Sequence, residues 1–431
     1  MKYISTNQKS AKVSFREAVI KGIPDDNGLF YPETLNALSS GFFKKLKRFS
    51  LSEIAFEVMK VFVQDDIPDQ DLIKILNDTL SFDIPLVKLE PNVYSLELFH
   101  GPTLAFKDIG ARFLARCMSY FSGKDEKITV LVATSGDTGS AVANGFLGIK
   151  GIDVVILFPK GKVSELQEKQ FSTLGNNINS LEVEGTFDDC QNMVKKAFAD
   201  PVLHQKMKLS SANSINIARL IPQTFYYFYA YSQLEENINP RVVSVPSGNY
   251  GNLTAGLMAK KLGLAIDEFI AASNINKPVP DYLETGQFIP RTSVQTIANA
   301  MDVGNPGNFA RIQTMYDYSW EAIREDVKGY SYFDDQVKNI MKTVYNKTGY
   351  ILDPHGAIGY LALKDYMLSN DVCGIFLETA HPAKFYQIVE DTIRTEIDIP
   401  ARLLQCLDKG KKTILIKNQY DDLRDFLRSK L

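Results

Sequence analysis

Residues 128–140 read ITVLVATSGDTGS, a run of β-branched and aliphatic side chains from Ile128 to Ala133 followed at once by small and hydroxylated residues. A short continuous apolar run bounded by turn residues is the pattern of a strand buried on both faces, as in parallel sheets. The segment Thr134-Ser135-Gly136-Asp137-Thr138-Gly139-Ser140 then leads into a helix expected from near Ala141. Ligands of open α/β sheets gather at such places, where loops leave the carboxyl ends of strands and enter helices. Gly136 allows close backbone approach, Ser135 and Thr138 carry hydroxyls, and free amides at a helix start favour an anion such as a carboxylate. Read alone, the loop is more simply a helix start capped by Asp137 or Thr138.

The same texture recurs outward from this point. Val154 to Phe158, Val242 to Val245 and Ile375 to Leu377 are further apolar runs, separated by helical segments, and from about residue 86 the chain reads as a mainly parallel α/β protein. Roughly the first 80 residues read as helices with one turn at Asp25-Asp26-Asn27-Gly28 and hold no cluster of reactive groups, which marks an accessory domain. No internal repeat or low-complexity tract interrupts the chain.

Two more segments carry chemistry. Pro246-Ser247-Gly248-Asn249-Tyr250-Gly251-Asn252 follows a strand and precedes a helix expected over 253–262. Its glycines frame exposed amides suited to a phosphate, with Asn249 and Asn252 as side-chain donors. It lacks the lysine of a Walker loop and the spacing of a dinucleotide fingerprint. His100-Gly101-Pro102-Thr103-Leu104-Ala105-Phe106-Lys107-Asp108 sets one lysine among apolar neighbours after a turn. Desolvation lowers the proton affinity of an amine and makes it a usable nucleophile, although a lysine beside an aspartate is ordinarily a solvated surface residue. An anion loop, a phosphate loop and a desolvated lysine in one α/β chain are together what a Schiff-base cofactor with a phosphate tail requires.

Bulk properties exclude other classes. The chain has 431 residues, 45% apolar and 23% charged, with a formal net charge of -3, so it offers no basic field for nucleic acid or an anionic membrane. Its four cysteines, Cys117, Cys190, Cys373 and Cys406, form no CxxC pair, and neither a disulfide framework nor a zinc site is expected. No metal is expected from the scattered histidines; Asp353-Pro354-His355-Gly356 and His381 read as a turn and supporting packing. The aromatic run Phe225 to Tyr229 reads as core, Lys160-Gly161-Lys162 as a solvated loop, and the loop Met301 to Asn308 is given no role. With no apolar leader at the start and no long uncharged stretch, a cytoplasmic location is expected.

HGPTLAFKD, ATSGDTGS, SANSINIARL, PSGNYGN and ETAHPAKF, in that order and nearly end to end, resemble the threonine synthases of bacteria and fungi, within the fold type II, tryptophan-synthase-β-like pyridoxal-phosphate enzymes. The amino-terminal FREAVIKGIPDDNGLFYP is similar to the start of that family. The resemblance implies two α/β domains around mainly parallel sheets plus a mostly helical N-terminal domain, with boundaries expected at 1–82, at 83–107 and 211–431 for the large cofactor domain, and at 108–210 for a smaller inserted domain. It implies pyridoxal 5'-phosphate held by Lys107, with Ser247, Gly248, Asn249, Tyr250, Gly251 and Asn252 at the cofactor phosphate and Thr379 at the ring nitrogen. The implied substrate is O-phospho-L-homoserine, with Ser135, Gly136, Asp137 and Thr138 at its carboxylate and Asn213, Ser214 and Arg219 at its phosphate. A fork of donors that stays charged suits Arg219 to the last task. The implied reaction is γ-elimination of phosphate followed by addition of water at the β-carbon, giving L-threonine. The rivals are a phospho-lyase that ends at a 2-keto acid and a non-catalytic protein of the same fold; the presence of Lys107 speaks against the second. The oligomeric state is left open between monomer and homodimer.

Overall fold

The structure of the chain, a computed structural model, describes residues 1–123, 127–235 and 242–430. In chain order its strands are β1 (Tyr3–Ser5), β2 (Phe30–Pro32), β3 (Leu86–Glu90), β4 (Val93–Glu97), β5 (Ile128–Ala133), β6 (Ile152–Pro159), β7 (Ile178–Glu184), β8 (Lys208–Ser211), β9 (Val242–Pro246), β10 (Glu268–Ser273), β11 (Val327–Ser331), β12 (Gly374–Glu378) and β13 (Thr413–Lys417). They form an antiparallel β1-β2 pair, a six-stranded sheet in the order β11-β10-β9-β12-β4-β3, and a five-stranded sheet in the order β13-β7-β6-β5-β8. Every pairing in the smaller sheet is parallel, and only the β3-β4 edge of the larger one is antiparallel. The strands read from continuous apolar runs are thus buried ones: β5, β9 and β12 are buried along their whole length.

Parallel strands put all their carboxyl ends on one edge, and the order of the sheets decides which loops become neighbours. In the larger sheet β12 lies between β9 and β4, with Gly374 opposite both Val242 and Val93. The loops that leave these three strands hold Thr379, Gly248 to Asn252, and Lys107. In the smaller sheet β5 pairs with β8, so the loops holding Ser135 to Thr138 and Asn213 to Arg219 also leave side by side.

The N-terminal residues form helices Phe15–Lys21, Leu51–Val63 and Asp69–Thr79, the first two opened by capping boxes at Ser14/Glu17 and Ser50/Glu53. Ile54, Val58, Met59 and Phe62 face inward, and Phe42 meets the Phe228 ring edge-on at 5.7 Å, so this domain packs on the aromatic helix Phe225–Ser232. That helix is core, as its composition suggests, with Phe225, Tyr226, Tyr227 and Phe228 all buried. The short β1-β2 pair is an addition to the expected helices; three-residue strands are too brief to show a period-two pattern.

The C-terminus departs from the expected boundaries. Residues 211–431 are expected in the large domain, yet β13 pairs with β7, and the helix Tyr420–Arg428 buries Leu423 and Leu427 against Val183, Cys190 and Met193 of the smaller domain. A strand with one buried residue, Ile416, that pairs with a partner more than two hundred residues earlier gives no local signal of which sheet it will join. Leu423→Ala should therefore lower the urea midpoint of the smaller domain, with a loss of about 3 kcal/mol for a fully buried leucine, measured by the fluorescence or circular dichroism of unfolding.

Candidate functional site

The turn after β4 is stitched shut before it reaches Lys107. Asp108 folds back, its carboxylate accepting from the Thr103 amide at 2.8 Å and the Thr103 hydroxyl at 2.6 Å. Leu104 is buried at φ 60, a left-handed conformation unusual for a branched residue. It is held by backbone pairing with the loop after β12: His381 N–H donates to the Leu104 carbonyl at 3.0 Å, Phe106 N–H to the Thr379 carbonyl at 2.9 Å, and Ala105 and Ala380 form a bridge. Lys107 then opens the helix Lys107–Phe121 with its amine beside the Phe106 ring and Thr379 close by in the paired segment. The neighbouring acid is accordingly a buried staple, not a solvated partner of the lysine. Burial is the largest influence on the Lys107 amine and lowers its proton affinity; Asp137 opposes this, Lys384 and Arg219 reinforce it, and the net shift is downward.

The loop after β9 is built to leave its amides free. Tyr250 sits at φ 59 and its hydroxyl is anchored to that of Ser273 at 2.6 Å, while the Tyr227 hydroxyl donates to the Asn252 carbonyl at 2.7 Å. The Asn252 side chain accepts from the Ser247 hydroxyl and donates to the Pro246 carbonyl, both at 2.8 Å. Asn249 donates to the Ser214 hydroxyl and accepts from the Gly307 amide, both at 2.6 Å. The two asparagines therefore shape the loop, and the donors it offers an anion are the backbone amides of Asn249 to Asn252. Among the described residues no acceptor takes them, and they open the helix Gly251–Lys261, whose dipole favours negative charge. A Cβ on Gly248 would come within 2.7 Å of the Ala300 carbonyl oxygen, so the 300–308 loop presses directly on this cradle.

The loop after β5 is organised by Thr134, whose hydroxyl accepts from the amides of Gly136 at 3.0 Å and Gly139 at 2.8 Å. The helix begins at Asp137, four residues before the expected start, because the amides read as a loop already form its first turn. Ser135 and Thr138 are partly exposed and their hydroxyls have no protein partner among the described residues. Asp137 points elsewhere: it pairs with Lys384 Nζ at 2.6 Å and accepts from Gln167 Nε2 at 2.9 Å. Burial alone would raise its proton affinity, but the charges of Lys384 and Lys107 prevail and hold it far below the usual carboxylate range.

After β8, Asn213, Ser214 and Arg219 come together across one turn. Arg219 is 4% exposed, not a surface residue of its helix; Nη1 donates to the Ala212 carbonyl, Nε has no partner among the described residues, and burial lowers its proton affinity to about 10. Asn213 Oδ1 is likewise buried without a partner among the described residues. Behind the turn lies Arg311, fully buried, with Nε donating to the Phe30 carbonyl at 3.0 Å, Nη1 to the Ser214 carbonyl at 3.1 Å and Nη2 to the Ile215 carbonyl at 2.6 Å.

Sequence reasoning singled out Lys107 and the loops after β5 and β9 as candidates, and gave no role to Lys384, Gln167, Asn308 and Arg311, which pack around them. Asn308 donates to the Ser214 hydroxyl at 3.3 Å, which gives the unassigned 301–308 loop its place as a buttress. The available signal was a charged residue in an apolar setting, Arg311 in FARIQTM and Lys384 in HPAKFY. Among the described residues the Lys107 amine has no acceptor, the amides at the helix start have none and the Thr379 hydroxyl has no partner, an arrangement that fits a cofactor with an aldehyde, a phosphate and a ring nitrogen.

Comparison with known proteins agrees along the whole chain. A family described as pyridoxal-phosphate dependent enzyme matches residues 82–374, threonine synthase N terminus matches 2–80, and threonine synthase, C-terminal matches 356–427. The chain is 45% identical to threonine synthase of Haemophilus influenzae over 95% of both chains, and 42% identical to that of Escherichia coli over 95% of both. It superposes on the crystal structure of the Escherichia coli enzyme with a TM-score of 0.94, at 40% identity and 100% coverage of both chains. On a pyridoxal-phosphate-bound threonine synthase from Brucella melitensis the TM-score is 0.93, at 33% identity, covering 100% of this chain and 99% of the other. The fit of the amide cradle predicts that Gly248→Ala, by pushing the loop off the 300–301 backbone, weakens binding of pyridoxal 5'-phosphate by about tenfold or more, since loss of one charge-assisted hydrogen bond costs about 1.5–3 kcal/mol. Fluorescence titration of the cofactor-free chain measures it.

Proposed function

Because the chain belongs to the threonine synthases, pyridoxal-phosphate-dependent lyases, we propose that it converts O-phospho-L-homoserine and water into L-threonine and phosphate on a cofactor carried by Lys107. The observation that carries the site assignment is the convergence of Lys107, the amides of Asn249 to Asn252 and the hydroxyl of Thr379 at the carboxyl ends of three adjacent strands. Bound there, pyridoxal phosphate supplies the electron sink that lets bonds at the substrate's α-carbon break.

The chain's own groups divide the remaining work. The amides of Asn249 to Asn252 hold the cofactor phosphate at a helix start. Thr379 meets the ring nitrogen with a neutral hydroxyl, which, unlike a carboxylate, leaves that nitrogen without a fixed proton and favours elimination at the γ-carbon. Ser135, Thr138 and the amides of their helix start bind the substrate carboxylate. Arg219, with Asn213 and Ser214, binds the substrate phosphate, and Arg219 keeps its charge at any working pH despite burial. Lys107 in its neutral form accepts the α-proton, and its position by the cofactor allows it to take the β-proton too. Its lowered proton affinity makes the neutral form available, so activity should rise with pH as Lys107 gives up its proton and be lost below that transition.

We assign this chemistry to the cytoplasm. All four cysteines are free, as expected of a reducing compartment, and among the described residues no helix is long and apolar enough to cross a membrane.

Incubation of the cofactor-loaded chain with O-phospho-L-homoserine should release threonine and phosphate in equal amounts; 2-ketobutyrate and ammonia without threonine would overturn the reading. Lys107→Ala should reduce turnover by at least about 10³-fold and abolish the visible absorbance of the bound cofactor. Arg219→Ala should raise KM for the phosphorylated substrate by about tenfold or more while leaving cofactor absorbance intact.

A further inference from the structure

We propose that Lys384 is a positioning residue whose task is to take up the charge of Asp137, so that Lys107 need not pair with that carboxylate and remains a free amine facing the anion sites. The inference rests on the assignment of Lys107 as the cofactor lysine.

The geometry places Lys384 at a junction of three segments. It belongs to the Pro382–Phe385 turn of the large domain, and its side chain is fully buried. Its Nζ donates to the Thr103 carbonyl at 2.8 Å, in the turn that delivers Lys107, and pairs with Asp137 at 2.6 Å, at the head of the anion-binding helix. Gln167 completes the shell of Asp137, and its own Oε1 accepts from the Ser164 hydroxyl at 2.9 Å. Gln170 donates to the same Thr103 carbonyl at 3.2 Å. A Cβ on Gly136, at φ 142, would strike the Gln167 amide at 2.7 Å, so the loop is closed down over this shell.

A carboxylate at the start of a helix meant for an anionic ligand is a liability twice over. It repels the ligand, and it offers a nearby amine a salt bridge that would hold the amine protonated. The charged groups that bear on Lys107 are Asp137 from the anion loop, Lys384 from the 382–385 turn and Arg219 from the substrate turn, with Asp108 beside it on its own helix bound to Thr103. Lys384 is the one of these cations that touches Asp137. Removing it leaves Asp137 buried, ionised and without its ion-pair partner, with Lys107 as the other cation whose charge bears on it.

The pair therefore makes opposed predictions for its two members. In the cofactor-free chain, trace labelling with acetic anhydride, read as acetylation of the Lys107 peptide against pH, reports the protonation midpoint of this amine without any turnover. Lys384→Met should raise the midpoint by about one pH unit or more, because an opposite charge within reach favours the ammonium. Asp137→Asn should lower it, because the one group that raises it is gone. Asp137→Asn/Lys384→Met should return it to near the parent value. A role limited to packing predicts no such opposition, and shifts of both single variants in one direction, or none in either, would overturn the proposal. If Lys384→Met fails to fold, the test passes to Asp137→Asn and the double variant: the proposal requires a lowered midpoint in the first and a folded, near-parent midpoint in the second. Borohydride reduction of the parent with bound pyridoxal phosphate tests the underlying reading separately; label at a lysine other than Lys107 would sink that reading, whereas the midpoints alone judge the Asp137-Lys384 pair.

Discussion

Parallel pairing of β12 with β4 on one side and β9 on the other brings three distant stretches of chain to a common edge, and the site follows from it. Lys107, Gly248 to Asn252 and Thr379 are separated by more than a hundred residues from one to the next. Nothing local holds them together. Beyond these strand ends Ala105 and Ala380 form an isolated antiparallel bridge, and next to it Leu104 takes a left-handed backbone. Such a conformation persists where surrounding structure over-determines it, and here two backbone hydrogen bonds and full burial do so.

A second constraint is electrostatic. The cleft collects helix starts, Arg219, Lys384 and Lys107, against Asp137 and a buried Asp108 whose proton affinity is raised by burial. Arg311 and Arg219 are buried with carbonyl partners in place of carboxylates. Buried cations without an acid to neutralise them are costly, and this arrangement suits a cleft whose missing negative charge arrives with its ligands. Arg311 also shows why the N-terminal domain is no passive appendage: through it the Phe30 carbonyl of β2 is joined to the backbone of Ser214 and Ile215. The chain's last strand and helix act similarly on the smaller domain, where they cover the edge of β7 and the apolar side chains of Val183, Cys190 and Met193.

The sequence by itself determined the class of fold and the chemistry of the loops. Continuous apolar runs meant buried parallel strands, and glycine and hydroxyl residues directly after them pointed to candidate anion sites, because strand ends and helix starts have fixed polarity regardless of context. Of the segments singled out, Ser135 to Thr138 and, through the family resemblance, Asn213 to Arg219 follow the adjacent strands β5 and β8, and Gly248 to Asn252 follow β9 in the larger sheet. Tertiary structure alone decided which of their atoms are free. Asn249 and Asn252 proved to be bound to neighbouring protein groups, Asp137 to Lys384, and Asp108 to its own turn. It also decided that β13 joins the smaller sheet and that Arg311 is buried behind the turn after β8. The reason is physical: local pattern reports whether a segment is a strand, a helix or a turn, whereas the partner of a buried charge or of an edge strand comes from another part of the chain and is fixed only when both are packed.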